Sequence, residues 1–180
     1  MLEVALAVRT LLALVFLTAG IGKFRNMLVF QGVVVNYRLL PEKWAAHFAL
    51  GLPVVEIIVA AGLLFAPSSW VDGSAAFLLL LFAGAMAINI RRGRRHIDCG
   101  CFQSAHQQTL NGVLVARNVG LAGLLAVPAL APVGRLSPLG AAEALATGTV
   151  LFVLLQSLNV LWSVTPSWRR RAGVTTGADK

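Results

Sequence analysis

The chain has 180 residues, of which 58% are hydrophobic and only 12% charged, with a mean hydropathy of +0.80. Soluble domains carry roughly 25% charged residues, and a domain this small buries only about two thirds of its surface. A soluble enzyme, a disordered chain and a disulfide-stapled secreted module are therefore excluded, and an integral membrane protein remains. The net charge of +8 does not argue for nucleic acid, because the basic residues lie between apolar runs and no polar domain displays them.

A helix needs about 20 apolar residues to cross the hydrocarbon core. The first such stretch is 4–21, broken by Arg9. Glu3 stands where a signal peptide would have Lys or Arg, and no small-residue cleavage site follows, so a retained helix is expected. Residues 27–40 are apolar but too short to span. They end at Pro41 and predict an interfacial or re-entrant helix. The second span is 48–65, with Glu56 inside it. Pro67-Ser68-Ser69 and Asp72-Gly73 mark a turn. The third span, 73–90, is uncharged, and its run Ala83-Gly84-Ala85 with Ala87 reads as a close helix contact. The fourth, 112–133, carries Arg117, and the fifth, 144–168, carries no charge. The predicted fold is all-α: a polytopic transmembrane bundle of about five helices over residues 1–168, with a short interfacial helix. A basic tail, 169–180, is expected to be disordered.

Orientation follows from the basic residues. Lys23, Arg25, Arg38 and Lys43 follow the first span, Arg91, Arg92, Arg94 and Arg95 the third, and Arg169, Arg170, Arg171 and Lys180 the fifth. The two other connections hold only Arg135, a ratio of twelve to one. The positive-inside rule then places the N-terminus outside, the C-terminus in the cytoplasm and the loop 91–111 at the cytoplasmic face.

An isolated carboxylate at Glu56 is costly within a membrane. Arg9 and Arg117 are the cations expected to pair with it, either as a structural ion pair or in proton transfer. Asn89, Asn118, Gln156 and Asn159 are expected to form hydrogen bonds between helices.

The two cysteines stand together in His96-Ile97-Asp98-Cys99-Gly100-Cys101-Phe102. A disulfide closing so small a loop removes little chain entropy and is not a stability device. It needs an irregular backbone, which Gly100 permits, and a strained, exposed disulfide exchanges readily. Arg91, Arg92, Arg94 and Arg95 favour the thiolate form, while Asp98 opposes it or orients a neighbouring base. Thiol–disulfide chemistry at Cys99 and Cys101 is one reading. A metal site of His96, Cys99, Cys101 and His106 is another, and a scaffold with inert cysteines is the third. No permanent cofactor is expected.

The run Arg9, Phe16-Leu17-Thr18-Ala19-Gly20 and Lys23, then Tyr37-Arg38-Leu39-Leu40-Pro41 and Leu52-Pro53 with Glu56, is similar to the methylamine-utilisation MauE family. So is Asn89-Ile90-Arg91-Arg92-Gly93-Arg94 with Asp98-Cys99-Gly100-Cys101-Phe102. The resemblance spans roughly residues 5–130, and the family is related to the DoxX-like membrane proteins. Members often carry Gly after that Phe, where this chain has Gln103. The resemblance implies a bacterial inner-membrane protein with a helical bundle like that of the membrane thiol oxidoreductases, a four-helix redox-type core plus one. It implies a role in maturing the small subunit of methylamine dehydrogenase, or another disulfide-rich client, with a thioredoxin-like partner of the MauD kind. A periplasmic client calls for a dithiol reached from outside, whereas the charge count puts the loop inside. An electron relay across the membrane or a loop folded back between the helices would reconcile them.

Overall fold

The structure, a computed structural model, describes residues 1–94, 110–130 and 136–174. All regular elements among them are helices: α1 (Leu2–Arg25), α2 (Met27–Tyr37), α3 (Glu42–Phe65), α4 (Ser69–Arg91), α5 (Gly112–Leu124), α6 (Ala126–Ala129) and α7 (Pro138–Val174). Five stretches are long and apolar enough to cross a membrane: α1, α3, α4, the α5–α6 pair and α7. Their outer faces carry large exposed apolar side chains, such as Ile58, Phe65, Phe77 and Leu158, which water would not tolerate in such number. This is a multi-pass membrane protein.

The helices outrun the spans expected from hydropathy. Charged residues end an apolar window but not a ladder of backbone hydrogen bonds. Thus α1 continues past Ile21 through Lys23, and α3 begins at Glu42 rather than Phe48. The turn expected to reach Gly73 is shorter. Ser68 caps α4 by accepting from the Val71 amide, so Asp72 and Gly73 lie in the first turns of the helix. At the other end α7 runs to Val174, so residues 169–174, expected in the tail, are helical. Arg and Ala are good helix formers and let the helix run on. The short segment after α1 is a helix, α2, joined to it through the single non-helical residue Asn26 and closed by Arg38 in the left-handed region (φ 46°).

Helix α1 is the axis of the bundle, with α3 on one side and α7 on another, while α4 pairs with α5 and α2 lies along α3. The main core joins Leu12 and Phe16 of α1, Phe30 of α2, Leu63 of α3, Leu79 of α4 and Leu121 of α5. Two glycines let helices approach backbone to backbone. A Cβ at Gly20 would lie 2.9 Å from Ile57 and 3.1 Å from the carbonyl oxygen of Pro53, within α3. A Cβ at Gly148 would lie 2.5 Å from the Ala7 carbonyl oxygen and 2.6 Å from Thr10 Cβ. The second obstacle is backbone, which cannot swing aside. Gly148→Leu is therefore expected to part α7 from α1 and destabilise the fold by about 1–3 kcal/mol or more. Gly120→Leu, at a position open to 4 Å, is expected to melt like the native protein. Thermal unfolding in detergent compares the two, and equal melting would refute the close contact.

In the run Ala83-Gly84-Ala85, expected to be a helix contact, Ala83 is buried and Ala85 packs against the cluster of Tyr37, Met86, Leu110 and Leu114. Nothing lies within 4 Å of a Cβ at Gly84. Gly84 and Ala85 also line a cavity.

Candidate functional site

The cysteine segment, with Arg95, His96, Asp98, Cys99, Gly100, Cys101 and His106, lies outside the described residues. Its two roots are described. Helix α4 ends at Arg91, and Arg92 Nη1 donates to the carbonyl oxygen of Arg38, 3.3 Å away, joining the end of α4 to the end of α2. Arg94 is half-buried just beyond. On the return, Leu110 is 2% exposed and packs with Tyr37, Met86 and Leu114. The Asn111 side chain then caps α5, accepting from the Leu114 amide at 3.0 Å. The segment is thus tethered at both ends to the α2–α4–α5 corner, with Arg91, Arg92 and Arg94 at its entrance.

The charged groups within the bundle pair differently from the sequence expectation. Glu56 does not meet Arg9 or Arg117. Its Oε1 accepts from Lys23 Nζ at 2.5 Å, and the two side chains are 0% and 4% exposed. Lys23 had counted as a loop cation because the apolar window stops at Ile21. In the folded chain it occupies the last turn of α1 and points into the bundle, 5.4 Å from the centres of both the Phe30 and Phe82 rings. A lysine at a helix C-terminus is favoured by the helix dipole, and the two aromatic faces add cation–π attraction.

Arg9 pairs instead with Asp72. Nε and Nη2 donate to Oδ1 and Oδ2 at 3.1 and 2.7 Å, a bidentate fork between α1 and α4. Arg117 donates through Nη1 to Asn159 Oδ1 at 3.0 Å, tying α5 to α7, and Asn159 in turn donates to Gln156. Of the four amides expected to join helices, Asn159 does so. Asn89 and Asn118 instead donate to carbonyls one turn back in their own helices, those of Ala85 and Leu114.

Beside the Lys23–Glu56 pair lies a cavity of about 450 Å³. Phe16, Phe30, Leu52, Leu79, Phe82 and Met86 form much of its wall, with Tyr37, Lys23, Glu56, Arg117 and Asn118 as its polar members. Glu56 Oε2 is fully buried and has no hydrogen-bond partner among the described residues. Lys23 was missed as a site residue, although one signal was available. It lies about four helical turns beyond Arg9, on nearly the same face of α1. Among the described residues no group of three or more His, Cys, Asp or Glu could hold a metal ion. The alternative set His96, Cys99, Cys101 and His106 falls outside them.

Comparison with known proteins places the chain. A family model described as "Methylamine utilisation protein MauE" matches residues 1–131. The chain is 43% identical over 157 residues to "Methylamine utilization protein MauE" of Paracoccus denitrificans, covering 84% of this chain and 83% of that protein. It is 42% identical over 161 residues to the protein of the same name from Paracoccus versutus, covering 86% and 85%. Its counterpart in Methylorubrum extorquens is 45% identical over 116 residues, covering 64% and 62%. No solved structure matches. Family match and relatives agree, and the chain belongs to the methylamine utilisation protein MauE family.

Proposed function

We propose that this protein is a thiol–disulfide redox protein of the bacterial inner membrane, serving methylamine utilisation. Its client is a disulfide-rich periplasmic enzyme, by family resemblance the small subunit of methylamine dehydrogenase, reached through a thioredoxin-like partner. The observation that carries this reading is the pairing of the chain's two cysteines around Gly100, in a segment anchored at both roots and entered past three arginines.

The exchange needs no bound cofactor. A thiolate from one cysteine attacks the partner's disulfide, forming a mixed disulfide and releasing one partner thiolate. The second cysteine attacks its neighbour's sulfur in that mixed bond, closing Cys99–Cys101 and freeing the other partner thiolate. Two electrons pass to the partner, and in reverse the Cys99–Cys101 disulfide oxidises a partner dithiol. The positive charge of Arg91, Arg92, Arg94 and Arg95 favours the attacking thiolate, and Gly100 permits the tight closure. Glu56, buried against Lys23, supports the fold on which the segment is mounted. Inner-membrane location, with the N-terminus outside and the C-terminus cytoplasmic, is part of the proposal and rests on the charge distribution.

Cys99→Ser and Cys101→Ser are each expected to abolish client maturation while the protein still accumulates in the membrane. In one of them the surviving thiol should hold the partner in a mixed disulfide, visible as a reducible adduct on a gel. Full client maturation by the double serine variant would overturn the dithiol mechanism. Stoichiometric Zn or Cu lost on His96→Ala with His106→Ala would replace it with the metal reading.

A further inference from the structure

The rim of the cavity has a chemistry that the cysteine segment does not require. Leu39, Leu40, Phe48 and Ile88 line the cavity and are 37–42% exposed, whereas Phe16 and Met86, also in its wall, are 1% exposed. The cavity therefore runs from an exposed rim, between the α2–α3 turn and α4, into the buried interior. On α4 the lining extends from Leu79 to Ile88, a rise of about 14 Å and close to half of the ~30 Å hydrocarbon core.

The rim lies where the spans of α3 and α4 end, at Lys43 and Arg91. Trp44 stands one turn before Phe48 on the same face of α3 and is 58% exposed, as a tryptophan at the membrane–water interface would be. Arg92 stands one turn beyond Ile88, and its Nη1 donates to the Arg38 carbonyl oxygen at 3.3 Å. Arg38 directly precedes Leu39 and Leu40. Both arginines are exposed, and neither forms an ion pair among the described residues. An unpaired guanidinium at headgroup depth attracts a phosphate, and the apolar cavity beside it admits an acyl chain. One molecule carries both groups.

We propose that this rim binds an anionic phospholipid. Its phosphate rests on Arg38 and Arg92, and one acyl chain enters the cavity past Leu40 and Ile88 toward Met86. A zwitterionic lipid offers the same chain but carries its own cation beside the phosphate, so the site selects by headgroup charge.

The test mixes the purified full-length protein in detergent with equal amounts of phosphatidylglycerol and phosphatidylcholine bearing the same acyl chains. Retained lipid is read by native mass spectrometry. One phosphatidylglycerol per protein is expected, favoured over phosphatidylcholine about 10- to 30-fold by the two cations. Arg38→Gln with Arg92→Gln, at two exposed positions, should bring the two lipids to near-equal retention. Gly84→Trp places a ring in the cavity from a position where a Cβ meets nothing within 4 Å. It should lose the retained phosphatidylglycerol although both arginines remain. Equal retention of the two lipids by the native protein, or a preference that survives the double arginine variant, would overturn the proposal and leave the arginines to an acidic partner protein. Retention unchanged by Gly84→Trp would overturn it by taking the acyl chain out of the cavity. A lipid-free dimer that Gly84→Trp dissociates would overturn it by giving this face to a second copy of the chain.

Discussion

Replacing Glu56 by Leu is expected to destabilise the protein by about 3–5 kcal/mol. The variant strands the Lys23 ammonium at a site where its side chain is 4% exposed. Phe30 and Phe82, each 5.4 Å from the nitrogen, return up to about 2 kcal/mol through their ring faces, less than the loss of the carboxylate. Lys23→Met leaves the opposite fault, a carboxylate 0% exposed with neither oxygen given a donor. The double variant Lys23→Met with Glu56→Leu removes both charges, and hydrophobic replacement of a buried pair is neutral or stabilising in many cases. It should therefore melt near the native protein, although each single variant melts far below it. A thermal melt of the four proteins in one detergent forms a double-mutant cycle whose coupling should equal the two single losses together, because the double variant suffers neither. Additive losses, with the double variant the least stable, would show that the residues do not act as a pair.

The same comparison separates structure from function at this site. If the double variant folds normally yet fails to support client maturation, the pair does more than brace α1 against α3. A folded and active double variant confines its role to packing.

What could be read from the sequence was whatever depends on the chemistry of contiguous residues. The apolar runs located all five spanning stretches and the short helix after the first, because hydrocarbon admits few other sequences. Pairing between helices was less legible. The charges in or beside the spans include Glu56, Asp72, Arg9, Lys23 and Arg117. Which of them meet depends on which helices are neighbours and at what height. Lys23 was lost to a loop because an apolar window ends at the first charge, while the helix continues to Arg25. Asp72 was lost to a turn because Asp-Gly is a common turn dipeptide, yet Ser68 starts the helix first. The register of α1 shows only that two of these bases share a face; the neighbouring helices supply the partners. Arg9 and Lys23 lie about four turns apart on almost one face, one meeting Asp72 and the other Glu56. The small residues of α4 divide: Ala83 and Ala85 pack as expected, while Gly84 faces open space. Smallness permits either a close helix or an open space, and only the neighbouring helices decide between them.

The structural placement of Lys23 also alters the topology argument. One of the twelve cations on the basic side is spent in the core, so eleven remain to orient the chain against Arg135. The bias is still large, and the connections are short enough for the rule to hold. In intact spheroplasts, after reduction, a membrane-impermeant maleimide is therefore expected to label neither Cys99 nor Cys101. Permeabilising the membrane should expose both. A reporter fused after Lys180 should behave as cytoplasmic. The odd number of spans makes the two ends informative together, since the N-terminus and the C-terminus must lie on opposite sides. Labelling from outside with a cytoplasmic reporter would mean that the cysteine segment folds inward between its roots at Arg94 and Leu110, far enough to be reached from the periplasm. The collision between the charge bias and a periplasmic client would then resolve in favour of direct exchange. Labelling from outside with a periplasmic reporter would invert the whole bundle and end the positive-inside argument for this chain. With no labelling from outside and a cytoplasmic tail, electrons bound for a periplasmic client must cross the bundle itself.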